Sequence, residues 1–161
     1  MIAPLSLTNV LTVLIAAICL KMVAAQTAHR VQKLPRLALP AALATVDAVV
    51  LLAGVFDANA INDALWLGAA VVGFVAGRMR GWMLPMQVIP GRAAVRASQT
   101  ADNLAAAFAL LALAATDFAS AAMGDPLIEP AQIAAGAALC AGFLAGRWFV
   151  VAVRVDRTAE G

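Results

Sequence analysis

Five apolar stretches, each bounded by charge, proline or glycine, leave this chain few folds: about 5–25, 37–56, 64–77, 102–121 and 131–151. Most reach the ~20 residues a helix needs to cross ~30 Å of hydrocarbon. The third is short; it can be lengthened outward through Ile61, or the bilayer can thin around it. Inside hydrocarbon only helices and closed barrels satisfy their own backbones, and long apolar runs of this kind are helical. Composition agrees: 64% of the residues are hydrophobic and 12% charged, with a mean hydropathy of +0.93, far from a soluble domain. The expectation is an all-α membrane protein, a single integral domain over residues 1–161 with no soluble domain to carry chemistry. Ala24-Ala25 after an apolar run suggests a signal peptide, but the start lacks a positive n-region and its apolar run is too long. It is therefore read as the first span.

The cations set the orientation. Lys21, Arg30, Lys33 and Arg36 fall at or after the end of the first span; Arg78, Arg80, Arg92 and Arg96 lie between the third and fourth; Arg147, Arg154 and Arg157 end the chain. The opposite loops carry Asp57, Asp63, Asp125 and Glu129 and no Lys or Arg. The positive-inside rule then gives N-terminus out and C-terminus in. The net charge of +2 is too small to point to nucleic acid. Pro40 and Pro130 are expected in first helical turns, where a missing N–H costs nothing, and Ser98 or Thr100 as the cap of the fourth span.

Between the third and fourth spans the residue period changes. GAAVVGFVAGR reads as helix, the period shifts over Arg78 to Trp82, and an apolar/polar alternation follows, folded over Pro90-Gly91. This predicts a small cytoplasmic β-hairpin over about 83–97. With Pro90-Gly91 as a two-residue turn, Val88 faces Ala93 and Met86 faces Val95, with Arg92 and Arg96 on the other side. A Pro-Gly turn of type II matches strand twist poorly, so a looser loop with the register moved by one is the alternative. A lone two-stranded ribbon is marginal in water, so this one should rest on the membrane, on span ends or on a second subunit.

Two constellations stand out. GFVAGR at Gly73 to Arg78 recurs as GFLAGR at Gly142 to Arg147, and the pairs Gly73/Gly77 and Gly142/Gly146 have the GxxxG spacing that lets helix backbones approach. Spans three and five are expected to form a packed pair, or one of them a dimer face. Asp47 lies near the middle of span two, where a carboxylate is costly and by default marks function, such as a proton or cation site. The bland reading is a protonated Asp hydrogen-bonded through Thr45, or paired to Lys21. Arg78, Arg80, Arg92, Arg96 and Arg147 are candidate inner-surface contacts to lipid or a partner. Cys19, Met22, His29 and the cluster Met79, Met83 and Met86 could be collected as soft ligands for copper or haem, but no CxxC, CxxCH or paired-His spacing supports them. No cofactor or metal is expected, and no catalytic motif is present.

The layout of the central stretch, a span ending G-x-x-x-G-R-x-R-G, then an extended pair around P-G-R with V-R-A-S, then another span, resembles the CcdC-like group of small bacterial membrane proteins. The resemblance covers about 66–113, and QTAHRVQKLPRLALP at Gln26 to Pro40 fits it more loosely. It implies a multi-pass protein of the bacterial inner membrane, an association with cytochrome c maturation by the group's name, and no catalytic residues. This chain has no haem-attachment motif. The leading expectation is a non-enzymatic accessory or assembly protein acting through helix contacts and its basic inner surface, on itself, another membrane protein or anionic lipid. The alternatives are a small transporter or ion pathway using Asp47, and metal or haem handling.

Overall fold

A computed structural model of the chain describes residues 6–26, 32–54, 60–89, 94–97 and 101–159. They form five helices, α1 (Leu7–Gln26), α2 (Leu34–Ala53), α3 (Ala60–Trp82), α4 (Ala101–Met123) and α5 (Pro130–Ala159), and three short strands, β1 (Gln32–Lys33), β2 (Met86–Ile89) and β3 (Ala94–Ala97). Among the described residues four helices, α1, α2, α4 and α5, are long and apolar enough to cross a membrane. The outside of the bundle is apolar as well: Leu7, Leu14, Ile18, Val49, Val71 and Val72 are each at least half exposed. In water such a surface would aggregate; in a bilayer it is solvated.

The interior is built from small side chains. Ala16, Ala44, Ala107, Ala114 and Ala137 are fully buried, which brings α1, α2, α4 and α5 together around one core. Lipid tails are as apolar as leucine, so close van der Waals packing rather than water exclusion has to hold these helices.

The tightest contact is between α3 and α5. A Cβ added at Gly73 would fall on the carbonyl oxygen of Leu139, at Gly77 on that of Phe143, at Gly142 on that of Ala70 and at Gly146 on that of Phe74. The glycine hydrogens in those directions therefore point at carbonyl oxygens of the facing helix, the Cα–H···O arrangement found where helices touch backbone to backbone. Partner numbers rise together, so the two helices run parallel. The pattern is also reciprocal. The copies are offset by 69 residues (142 − 73 and 146 − 77), and Ala70 and Leu139 are offset by the same amount, as are Phe74 and Phe143. Exchanging α3 for α5 thus exchanges one contact for the other, a local two-fold relation along the helices. The glycine faces are consumed inside the chain.

Helix bounds differ from the sequence expectation in instructive ways. α3 continues through Arg78 and Arg80 to Trp82. Arg154 of α5 reaches across to its end, donating to the carbonyls of Leu84 (2.9 Å) and Gly81 (3.5 Å). α2 begins at Leu34 with Pro35 in its first turn, so Pro40 is not in the first turn but inside the helix. A proline there frees the carbonyl four residues back, and Gln26 at the end of α1 donates to that carbonyl, Arg36 O, at 2.8 Å. α4 ends on Gly124 at φ 71, the left-handed C′ position that favours glycine. The expected caps Ser98 and Thr100 lie outside the described residues.

β2 and β3 pair antiparallel with Met86 opposite Ala97, Val88 opposite Val95 and Ile89 opposite Ala94. The register differs from the expected one by two residues. An even shift keeps every side chain on its face, whereas a shift of one would have inverted them all. β1 adds a third strand, with Gln32 opposite Val95 and Lys33 opposite Ala94, in the order β1-β3-β2. α5, at 30 residues, is ~45 Å long by the 1.5 Å rise per residue, well beyond ~30 Å of hydrocarbon. Its last turns provide the platform: Val151 and Val155 pack on Val95, with Leu34, Leu37 and Met86 around them.

The glycine contact makes a graded prediction. Gly77→Ala should lower the melting temperature of the detergent-solubilised protein by an amount reflecting about 1–3 kcal/mol of overpacking, because a backbone carbonyl blocks the site. Gly68→Ala, where an added Cβ meets nothing within 4 Å, should leave it unchanged or slightly raised. Equal effects would contradict the contact.

Candidate functional site

Asp47 stands at the centre of the bundle. It belongs to the buried stripe of α2, Pro40, Ala41, Ala44, Asp47, Ala48 and Leu51, spaced by three and four residues. It is 0% exposed, and neither carboxylate oxygen has a hydrogen-bond partner among the described residues. The bland accounts of this residue do not hold. Lys21 is exposed on the outside of α1, because position 21 turns away from the buried stripe Thr12, Ala16, Cys19 and Val23. Thr45 donates to its own helix at Ala41 O (2.8 Å), the bond such side chains commonly make within helices.

The helices fix what lies at the same depth. Cys19 Sγ donates to Pro40 O at 3.4 Å and Gln26 to Arg36 O, so α1 and α2 run antiparallel. Thr12 lies seven residues before Cys19, and Asp47 seven after Pro40. Seven residues are two turns, which return to the same face ~10 Å along. Thr12 and Asp47 therefore share a level on facing stripes. From Thr12 a run of polar groups leads to the N-terminal end of α1. Thr12 donates to Asn9 O (2.9 Å); Asn9 Nδ2 donates to Asp117 Oδ2 of α4 (2.9 Å); Asn9 Oδ1 accepts from the Ser6 hydroxyl (2.8 Å) and backbone N–H (3.0 Å). In the other direction the stripe of α1 is Ala16, Cys19 and Val23. Along the stripe of α1, Thr12 is thus the polar residue at the level of Asp47, and no hydrogen bond joins the two.

At the opposite end, where the sheet sits, Asp102 in the first turn of α4 faces two arginines. Arg80 Nε lies 2.7 Å from Asp102 Oδ2, and Arg147 Nη1 lies 3.7 Å from the same oxygen. Arg147 is only 6% exposed, which corrects its assignment to the inner surface. It is buried where α4 covers α5, with Asp102 facing it. Its sequence twin Arg78 is exposed. Arg92 lies outside the described residues, as does the side chain of Arg96.

Cys19 and Cys140 are both buried free thiols within the one core, while Met79 and Met83 are exposed. Among the described residues these soft ligands are therefore divided between the core and the surface, and His29 lies outside the described residues. Sequence reasoning missed the Thr12–Asn9–Asp117 run and the Asp102 pairings. The signal for the first was present, since Asn9 and Thr12 are polar residues at helical spacing inside a span.

Compared with protein-family models, with curated proteins and with solved structures, the chain finds no match in any of the three.

The two ion pairs should respond unequally. Arg80→Gln breaks an exposed pair and should cost well under 1 kcal/mol. Asp102→Asn removes the carboxylate facing a buried guanidinium and should cost about 1–3 kcal/mol, read as a several-degree lower melting temperature. Equal losses would sink this ranking.

Proposed function

We propose that the protein crosses the bacterial cytoplasmic membrane five times, N-terminus out, and that its working group is the Asp47 carboxylate, exchanging a proton or small cation with the outer side in a small transporter or ion pathway. The observation that carries this is the complete burial of Asp47 without a hydrogen-bond partner. Left unpartnered, a buried carboxylate costs several kcal/mol if charged and roughly 1–3 even if neutral, and a purely structural position would be occupied more cheaply by Ala or Leu. The polar run through Thr12, Asn9 and Ser6 supports access from the outer end, and the apolar stripe inward of it supports closure there.

Several features support the fifth crossing and the orientation. α3 lies parallel to α5 in backbone contact and exposes Val71, Val72 and Val75, so a bilayer that holds α5 would hold α3 too. All eleven cations fall at the end that the rule assigns to the cytoplasm. The resemblance to CcdC-like proteins agrees with that membrane.

In proteoliposomes carrying a pH-sensitive dye, Asp47→Asn should reduce flux to that of empty vesicles, while the melting temperature stays level or rises because a costly group is gone. Unchanged flux in the variant would remove the reading. A titratable buried carboxyl should also appear in infrared spectra of the wild type and vanish in the variant.

The assembly reading survives in a narrower form, supported by the sheet rather than the glycines. In the order β1-β3-β2 the outer edge of β2 has no strand beside it among the described residues, and exposed Trp82 and Met83 flank it. An open edge is a template for a partner strand. A photo-crosslinker at Gln87 should capture a second copy or another membrane protein in intact cells; one at Leu127, at the far end, should not. Matching capture at both positions would discard this reading.

A further inference from the structure

On the face of the α3/α5 pair turned toward α2 runs one long groove. Its upper part has a volume of about 360 Å³ and lies between Ala48 and Val49 of α2, Ala70 and Phe74 of α3, and Ala138 and Ala145 of α5. Its lower part, about 270 Å³, is lined by Arg78 and Trp82 of α3 and by Phe149, Val153 and Arg157 of α5. The two parts share no lining residue, and helical spacing places them in line on one face. Val71, Phe74, Arg78 and Trp82 follow one another by three or four residues, as do Ala138, Gly142, Ala145, Phe149, Val153 and Arg157, and side chains so spaced share a face. Phe74 and Phe149, with ring centroids 5.9 Å apart, join the parts.

The groove changes character along its length. The upper part is alanine, glycine and aliphatic surface. At the mouth stand two arginines with no carboxylate among the lining residues. Arg78 is exposed and forms no ion pair among the described residues, while Arg157 lies 5.9 Å over the Trp82 ring, a cation–π placement that holds a guanidinium at a membrane interface. Asp102 is engaged by Arg80 and Arg147, and Asp156, beside Arg157 on α5, is exposed and lines neither part of the groove. A free anion would meet the arginines but leave Trp82 and Phe149, 45% and 41% exposed, uncovered. A neutral lipid would cover the aromatics and leave the arginines without a counter-charge. An anionic amphiphile meets both.

We propose that this groove binds one anionic phospholipid of the sheet-side leaflet, its phosphate between Arg78 and Arg157 and an acyl chain running past Phe149 and Phe74 toward Ala70. Guanidinium pairs suit phosphate because their donors match its oxygens. Two arginines at about a kilocalorie each near an anionic surface predict roughly a thirtyfold preference for an anionic over a zwitterionic headgroup.

The test places the full chain in nanodiscs of phosphatidylcholine with a minor fraction of phosphatidylglycerol and reads retained lipid by native mass spectrometry. The wild type is expected to leave the disc with one phosphatidylglycerol; Arg78→Gln/Arg157→Gln should lose it about thirtyfold. Arg36→Gln, an exposed arginine away from the groove, should retain it. Ala138→Phe, which fills the upper groove and leaves both arginines in place, should also lose it, and inorganic phosphate should not displace it. Equal retention by the wild type and the double arginine variant overturns the proposal. Full retention in Ala138→Phe, or displacement by inorganic phosphate, overturns the lipid and leaves a free-anion site. Melting temperatures of the variants within a few degrees of the wild type separate lost lipid from lost fold.

Discussion

The contact on which the rest of this molecule depends is backbone against backbone. At Gly73, Gly77, Gly142 and Gly146 the facing helix occupies the space where a side chain would be, so α3 and α5 behave as one rigid body. The bilayer gives no hydrophobic reward for joining two apolar helices, and close approach has to supply the energy through many short van der Waals contacts and Cα–H···O interactions. The reciprocity of the contact gives four near-equivalent anchor points over two turns. A pair fixed at four points can neither slide nor rotate, so the register of every group farther along α3 and α5 is set.

Two consequences appear at the end that carries the sheet. α3 ends at Trp82 while α5 continues to Ala159, and the excess length of α5 becomes a support outside the hydrocarbon. Arg154 caps the carbonyls at the end of α3, and Val151 and Val155 carry the sheet through Val95. A three-stranded ribbon of this size would not persist alone. The same rigid registration places Arg147 under α4, where Asp102 faces it, and leaves Arg78 outside. Two residues with the same local sequence thereby acquire opposite environments.

What the sequence disclosed and what it withheld divide along the range of the interactions involved. Helix existence was legible because apolar length is a local property, and the glycine spacing was legible because four residues are one turn. The strand register was not, since it depends on how the chain passes through residues 90–93; only its parity survived, because alternation fixes the face and not the partner. β1 gave no signal at all: Gln32 and Lys33 have no pattern of their own and pair only because α2 starts beside β3. The interior Pro40 was misplaced because helix starts are poorly marked when Pro35 and Pro40 are both available, and the group that makes Pro40 tolerable, Gln26, belongs to another helix. The burial of Arg147 needed α4, which no local window contains.

Asp47 belongs to the same long-range class. From sequence its depth was visible but not its isolation, which depends on Thr45 turning to its own helix and Lys21 facing outward. Around it the bundle packs small apolar side chains, and neither carboxylate oxygen has a hydrogen-bond partner among the described residues. One end of the α1/α4 seam is stitched by Asn9 and Asp117, a pairing that a purely apolar seam would not need and that costs little only near the membrane surface. The bundle thus holds a carboxylate without a hydrogen-bond partner at its centre, while its closest packing lies at the glycine contact. Those two features fall on different helices, the carboxylate on α2 and the glycine contact between α3 and α5.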